Sequence, residues 1–280
     1  MSETLPQPAV DEATVAAFQR DGAVVVRGLA SPAELALVER GIEKVLADPS
    51  ERFLVASRDA DAGRFVEDFC NWQRIPEYEQ FIRQSRAAEV AAALMGSRTV
   101  RLFHDHTLVK EPGTQQRTPW HQDQPYYNVE GRQNCSMWLP VDPVARTSTL
   151  EFVAGSHRGP WLMPRSFMDD QAKWFPEGSL QDLPDIDGDL ARDAGAHRIL
   201  GWQLEPGDAV FFHMLELHAA GGVEGPHRRR AFSVRFLGDD AVHAPRAWTT
   251  SPAFPGLGDE LPAGAPMDHP LFPRLWPRGG

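Results

Sequence analysis

From Thr99 onward, proline and glycine divide the chain into short apolar or alternating runs, a pattern that favours short strands joined by turns. One example is Pro206-Gly207-Asp208, a turn signal that leads into the apolar run at 209–213. Many short strands with turn signals between them predict a β-sandwich or barrel. The runs fall near 99–110, 118–127, 134–141, 148–154, 199–204, 209–213 and 229–237.

The first hundred residues have a different pattern and predict mostly helix. The segment Ser31-Pro32-Ala33-Glu34 combines an N-cap, a proline at the first helical position and a capping-box glutamate. Apolar residues then recur at helical spacing over 35–45, and a second helix is predicted from Pro76 to Met95. A short β-like run lies at 23–26. Helices followed by strands are typical of a β core with helices packed on it.

We expect residues 1–280 to form one domain, because β-rich folds often exceed 200 residues as a single unit. Its parts would be a helical N-terminal region at about 10–97, a β core at about 99–240 and an extended tail at 245–280. Aromatic residues in this proline-rich tail favour docking over disorder. The acidic stretch 163–198 is predicted to be an insertion that covers one end of the strands.

Composition narrows the possible partners and the compartment. The net charge of −11 argues against nucleic acid, which usually requires a basic face. No apolar stretch is long enough for membrane insertion, and no signal peptide pattern is present. The two cysteines lack a CxxC pattern, which argues against a zinc ribbon or a disulfide scaffold and favours a cytoplasmic protein. The oligomeric state stays open on the sequence.

The sequence Trp120-His121-Gln122-Asp123 contains a His-x-Asp motif. Residues two apart on a strand face the same side, so His121 and Asp123 can direct a nitrogen and an oxygen at a common point. Two histidines and a carboxylate are the usual ligands of non-haem Fe(II). The motif alone is weak evidence, because a chain of this composition contains about one by chance.

A second histidine must come from a distant strand, and the candidates are His213 and His218. Either could be an ordinary buried histidine. His218 is favoured because Arg229 follows it and opens a strand whose two faces differ in character. One face carries Arg229, Ala231, Ser233 and Arg235, and the other carries Phe232, Val234 and Phe236. A buried arginine requires an anionic partner, which a dicarboxylate cosubstrate would supply through a bidentate contact.

Taken together, these residues resemble the phytanoyl-CoA dioxygenase family, a family of Fe(II)- and 2-oxoglutarate-dependent oxygenases. The resemblance spans about residues 15–240 and includes the spacing of the His-x-Asp motif, His218 and Arg229. It implies a jelly-roll core (a double-stranded, cupin-like β-helix) and a mainly β fold with flanking helices. It also implies Fe(II) held by His121, Asp123 and His218, with 2-oxoglutarate bound by Arg229. Further matching segments are 18–26, 110–113, 138–142 and 150–157.

Three more residues match family positions near the cosubstrate. The resemblance assigns Trp138, Ser233 and His106 to that role, although Trp138 could also be ordinary core and Ser233 could simply satisfy the backbone. One departure is Ala220, which stands where some members carry a serine. This change removes one possible hydrogen bond to the cosubstrate and leaves the iron ligands intact.

The resemblance implies that the enzyme uses O₂ to hydroxylate an unactivated C–H bond of an unidentified small molecule, with release of succinate and CO₂. Related halogenases have a small residue at the position of Asp123, so the carboxylate favours hydroxylation. Residues 124–128 are predicted to line the mouth of the site. Lys110, Arg117 and Arg235 are either contacts for an anionic substrate or solvated charges at strand ends.

Two other functions stay open on the sequence alone. A zinc-type hydrolase could use the same His/Asp/His site, but it would not explain Arg229. A non-catalytic jelly-roll binding protein is the second alternative. The intact set of metal ligands argues against it, since a silent protein would be free to lose them.

Overall fold

The computed structural model describes residues 9–57, 61–163, 175–223 and 226–278, and its fold is mainly β with flanking helices, as predicted. The helices are α1 (Glu12–Asp21), α2 (Pro32–Ala47), α3 (Pro76–Gln84), α4 (Ala87–Met95), α5 (Ile186–Arg192) and α6 (Leu257–Glu260). The strands before the His-x-Asp motif are β1 (Ala23–Val26), β2 (Leu54–Val55), β3 (Phe65–Phe69) and β4 (Val100–Lys110). The others are β5 (Thr118–His121), β6 (Val129–Glu130), β7 (Asn134–Pro140), β8 (Leu150–Val153), β9 (Ile199–Leu200), β10 (Ala209–Phe212), β11 (His218–Ala220), β12 (Arg229–Leu237), β13 (Val242–His243) and β14 (Arg274–Trp276).

Two antiparallel sheets form the centre of the fold. The larger, called here the major sheet, has the strand order β1-β10-β7-β12-β4-β3-β2, with β14 added alongside β4. The minor sheet has the order β5-β11-β8-β9, and a separate pair joins β13 to β6. Side chains from both central sheets line one cavity and share one apolar cluster. The two sheets therefore enclose the site, as expected for a jelly-roll core.

Helices α1 to α4 cover the outer face of the major sheet. Phe232 on β12 is fully buried there, with its ring stacked 4.1 Å from that of Tyr78 on α3. The predicted start of α2 is confirmed, because the Ser31 hydroxyl accepts the Glu34 N–H and the Glu34 carboxylate accepts the Ser31 N–H. These contacts fix the helical layer behind the strand that carries Arg229.

Two predictions for the first hundred residues are wrong. The helix predicted from Pro76 to Met95 is broken, because Ser85 is extended at φ −70° and ψ 164°, so α3 and α4 are separate. The strands β2 and β3 were not predicted at all. They extend the major sheet beyond β4 and bring side chains from residues 54–56 and 65–69 to the wall of the cavity.

The C-terminal tail lies against the fold. Phe272 is fully buried and packs 5.5 Å from the ring of Phe103, while the Trp248 indole N–H donates to the Pro125 carbonyl at 2.9 Å. Strand β14 then pairs with the start of β4. No helix among the described residues is long and apolar enough to cross a membrane.

Candidate metal and cosubstrate site

Two adjacent strands of the minor sheet bring the candidate metal ligands together. In the antiparallel pairing of β5 and β11, His121 lies directly opposite His218. Their Nε2 atoms each lie 3.7 Å from Oδ1 of Asp123. One ligand atom from each residue lies within 4.8 Å of the others, so the three can hold one metal ion.

Asp123 reaches this point by a route that differs from the predicted strand geometry. Strand β5 ends at His121, and Asp123 has helical backbone angles of φ −73° and ψ −45°. It immediately precedes a short 3₁₀ turn at Gln124–Tyr126. The carboxylate is therefore positioned by a turn, whereas the histidines are positioned by strand pairing.

Backbone carbonyls orient both imidazole rings. Nδ1 of His121 lies 2.8 Å from the Pro119 carbonyl, and Nδ1 of His218 lies 2.8 Å from the Glu216 carbonyl. A carbonyl can only accept, so each Nδ1 carries the proton and each Nε2 keeps its lone pair. Burial, followed by the nearby His121, lowers the pKa of His218 to about 3. Both features favour metal binding through Nε2.

The second oxygen of Asp123 is held by the major sheet. Oδ2 accepts a hydrogen bond from the Ser136 hydroxyl at 3.0 Å and one from the Arg235 guanidinium at 3.2 Å. Burial alone would raise the pKa of Asp123, but the charge of Arg235 and the contact with His121 hold it well below its usual value. The group is thus a fixed carboxylate anion that presents Oδ1 to the two histidines.

A cavity of about 300 Å³ opens between the sheets at these ligands. Its walls include Arg229, Trp138, Ser233 and His106, so the structure brings all the predicted cosubstrate residues to the same cavity as the predicted metal ligands. Nε2 of His213, the other candidate histidine, donates to the Arg132 carbonyl instead, while Nδ1 accepts from the Leu215 N–H. The choice of His218 over His213 therefore agrees with the geometry.

Arg229 is a buried cation without an anionic partner among the described residues. Its guanidinium donates to the Ser148 carbonyl and lies 5.7 Å from the Trp138 ring centroid. Burial lowers its pKa to about 10. A desolvated guanidinium in a ligand-sized cavity matches the distal carboxylate of 2-oxoglutarate, which it can bind through two N–H groups.

The remaining cosubstrate candidates have different roles. The Ser233 hydroxyl donates to the Met137 carbonyl at 2.6 Å and accepts from Arg235 at 2.6 Å, so it supports the arginine that holds Asp123. Trp138 is buried beside Arg229 and lines the cavity. Ala220 also lines it and offers no hydrogen bond from its side chain.

The three cations considered for an anionic substrate are all engaged elsewhere. Lys110 is buried and donates to the Gln116 carbonyl at 2.7 Å and the Gly221 carbonyl at 3.0 Å, while Arg117 pairs with Asp187 at 3.2 Å. Arg235 does line the cavity, but it binds Asp123. A substrate anion thus finds no free partner in this set.

Two residues of the site were not predicted from the sequence. Ser136, which donates to Asp123, was missed because a lone serine in a strand carries no signal, and Glu67, which lines the cavity, was missed together with β3. Of the predicted mouth, Tyr126 and Tyr127 line the cavity, whereas Gln124 points inward and accepts from Asn134 at 3.0 Å.

Part of the predicted acidic cover can be placed. Phe175 packs 5.7 Å from the ring of Tyr126 at the mouth, and Asp187 on α5 accepts the Trp120 indole N–H at 3.0 Å. The described residues 175–198 therefore lie beside the minor sheet, next to the ligand strand. Residues 164–174 of the same stretch lie outside the described residues.

Comparison with known proteins agrees with this site. A probable phytanoyl-CoA dioxygenase of Caenorhabditis elegans is 28% identical to this chain over 62% of its residues. The chain spans about half (54%) of that relative's length. An ectoine dioxygenase of Sphingopyxis alaskensis is 26% identical over 83% of this chain and 80% of its own. The epimerase SnoN, whose structure was solved with Fe³⁺, alpha ketoglutarate and nogalamycin RO, has a similar fold, with a TM-score of 0.75 and 22% sequence identity. The match covers 94% of this chain and 98% of the SnoN chain.

The family model described as phytanoyl-CoA dioxygenase matches residues 18–231, which is more than half of the chain and contains every residue of the His/Asp/His set as well as Arg229. The protein therefore belongs to the phytanoyl-CoA dioxygenase family of Fe(II)- and 2-oxoglutarate-dependent oxygenases.

Proposed function

We propose that the protein hydroxylates an unactivated C–H bond of a small molecule, with 2-oxoglutarate and O₂ as cosubstrates. One oxygen atom enters the product as a hydroxyl group, and the other enters succinate as 2-oxoglutarate loses CO₂. The observation that carries this proposal is the buried guanidinium of Arg229 in the same cavity as His121, Asp123 and His218. A metal site and a carboxylate site in one cavity match a cosubstrate with an acid at each end.

The donor set of His121, Asp123 and His218 fits Fe(II), and a bound Fe(II) would supply the redox chemistry that couples 2-oxoglutarate and O₂ to C–H oxidation. Arg229 would bind the distal carboxylate, and the buried ring of Trp138 beside it would exclude water. Asp123 fills the third ligand position with a carboxylate. Because this carboxylate occupies the coordination position that a halide would need, the arrangement supports hydroxylation over halogenation.

The two alternatives account for less of the cavity. A zinc-type hydrolase needs the three ligands but would leave the buried charge of Arg229 without a partner. A non-catalytic binding protein would not require both imidazole Nε2 atoms to face one carboxylate oxygen. The oxygenase proposal uses the ligands and the arginine together.

The test is an anaerobic titration of metal-free protein with Fe(II) and then 2-oxoglutarate. We expect the weak visible charge-transfer band of the iron chelate in the wild type. His121→Ala should abolish the band, and His213→Ala should retain it because His213 binds a backbone carbonyl away from the ligands. Absence of the band in folded wild-type protein would refute the oxygenase proposal. If the band appears, candidate substrates can be screened by the release of succinate.

A further inference from the structure

We propose that Glu67 and His106 form a substrate subsite that binds a protonated amine of the small molecule, which gives His106 a role other than the cosubstrate contact expected from the sequence. This inference rests on the proposed oxygenase function and identifies the chemical class of its substrate. It concerns the half of the cavity formed by β2, β3 and the adjoining part of β4.

Strand register divides the cavity into two halves. Arg229 and Trp138 on β12 and β7 occupy one half and are the candidates for holding the cosubstrate. On the other side of β12, His106 pairs with Ser233 and also with Phe69 of β3, and Glu67 pairs with Leu108. Glu67 and His106 therefore line the same cavity as the metal ligands from β3 and β4, outside the two strands that carry Arg229 and Trp138, and we assign them to the substrate.

Glu67 is a buried carboxylate without a strong cationic partner among the described residues. It lines the cavity with 6% of its side chain exposed, and Nε2 of His106 lies 3.5 Å from its Oε1. The buried Lys110 donates instead to the backbone carbonyls of Gln116 and Gly221. An ionised carboxylate in such a place requires a donor, and a cationic donor stabilises it most.

His106 does not satisfy that requirement. Burial lowers the pKa of His106 and favours the neutral ring, while the 3.5 Å approach of Nε2 to Glu67 opposes this shift. Nδ1 has no hydrogen-bond partner in the described part of the chain. The ring is held by stacking on Phe69, with centroids 3.9 Å apart. Glu67 and His106 therefore present a carboxylate and an unpaired Nδ1 on the lining of the cavity.

The surroundings of this pair are aromatic and apolar. Phe65, Phe69 and Tyr126 line the same cavity, and the Lys110 Nζ already lies 4.6 Å from the Phe65 ring centroid. Aromatic rings near a carboxylate suit a cationic group. Beyond them, a groove of about 280 Å³ shares Leu54, Phe69 and Ser251 with the main cavity. The body of the substrate is thus expected to be apolar and to extend from the amine toward the exposed side chain of Leu54.

The test compares three probes with one skeleton: 4-phenylbutylamine, 4-phenylbutanol and 4-phenylbutyrate. Their binding to the anaerobic Fe(II)–2-oxoglutarate complex would be measured by titration calorimetry. We expect the amine to bind at least tenfold more tightly than the alcohol or the acid. Glu67→Gln should remove this preference, whereas Asp68→Asn should retain it because Asp68 lies on the opposite face of β3 and binds Ser50.

The charge-transfer band separates failure of this inference from failure of the proposed function. The band should form in wild type and in Glu67→Gln, since Glu67 contacts neither the ligands nor Arg229. Loss of the band in the wild type would refute the oxygenase itself. If the band forms, the subsite is refuted by an amine that does not bind, by an alcohol that binds as tightly, or by a preference that survives Glu67→Gln.

Discussion

The guanidinium of Arg235 lies 3.2 Å from Oδ2 of Asp123, on the side of the carboxylate opposite the two histidines. Arg235 is itself fixed by Ser233 at 2.6 Å and by the Tyr127 hydroxyl at 3.2 Å. The minor sheet and the adjoining turn thus supply the candidate metal ligands, and the major sheet holds the carboxylate in place.

Arg235→Met should weaken Fe(II) binding roughly ten- to hundredfold, the usual effect of losing a partner that orients a metal ligand. The variant removes the charge that lowers the pKa of Asp123 and leaves the Ser136 hydroxyl to hold Oδ2 without the guanidinium. A competition titration with a metal chelator measures the change. Arg230→Met is the matched control, because Arg230 faces the other side of β12 and pairs with Asp142 at 2.7 Å. Equal metal affinity in wild type and Arg235→Met would contradict the role given to Arg235.

Arg229→Met should raise the 2-oxoglutarate concentration required for the charge-transfer band at least tenfold. It should also leave the cosubstrate-free protein as stable as wild type or more so, because it replaces an unpaired buried charge by an apolar group. Thermal unfolding measured with and without 2-oxoglutarate tests both statements, since a bound ligand raises the Tm only where it binds the folded state. A variant that keeps the full ligand-induced rise in Tm would remove Arg229 as the carboxylate anchor.

Phe272→Ala should lower the free energy of unfolding by about 3–5 kcal/mol, the cost of emptying a buried phenylalanine site. The ring is fully buried between Phe103 and Phe254, so the loss would show that the tail is part of the folded core. Urea unfolding followed by fluorescence measures it. Arg274→Ala, an exposed neighbour on β14, should change the same quantity by less than about 0.5 kcal/mol. If Phe272→Ala is equally mild, the tail does not contribute to the core.

Asp239→Asn should destabilise the protein near neutral pH and have less effect in acid. The Asp239 carboxylate accepts the Thr99 hydroxyl at 2.6 Å and the Arg98 N–H at 2.8 Å, and these bonds lower its pKa from the usual 3.8 to about 2. Its stabilisation is therefore fully present above pH 3.8 and is lost as the pH falls through about 2. Unfolding of both proteins at pH 6 and pH 3 should give a smaller difference at pH 3. An equal difference at both values would show that the charge is not the cause.

The strands that could be predicted from the sequence are those with apolar residues on one face and polar or charged residues on the other. Strand β12 was predicted with its faces correctly divided, because apolar residues alternate with Arg229, Ser233 and Arg235. Strand β3 escaped prediction because both of its faces are buried, and each face carries an acid: Glu67 toward the cavity and Asp68 toward Ser50. Such a strand has no alternation of apolar and polar residues to detect.

The site was predictable to a similar extent. The pattern indicated that His121 and Asp123 converge, but the reason given was strand alternation, whereas a turn places Asp123. Local sequence could not distinguish the two, since the outcome depends on how the Gln124–Tyr126 turn packs. The contact between Ser136 and Asp123 was also beyond prediction, because only tertiary packing brings the turn after β5 against Ser136 of the major sheet.

The division of β12 into two faces restricts how this protein can diversify. A single insertion or deletion within Arg229–Leu237 would turn the phenylalanines into the cavity and the arginines into the helical layer, so it would abolish folding and cosubstrate binding at once. Strands β2 and β3 also line the cavity, but they carry none of the candidate ligands of the metal or the cosubstrate. New substrate preferences in laboratory evolution should therefore arise at the sheet edge, while the central strand keeps its length.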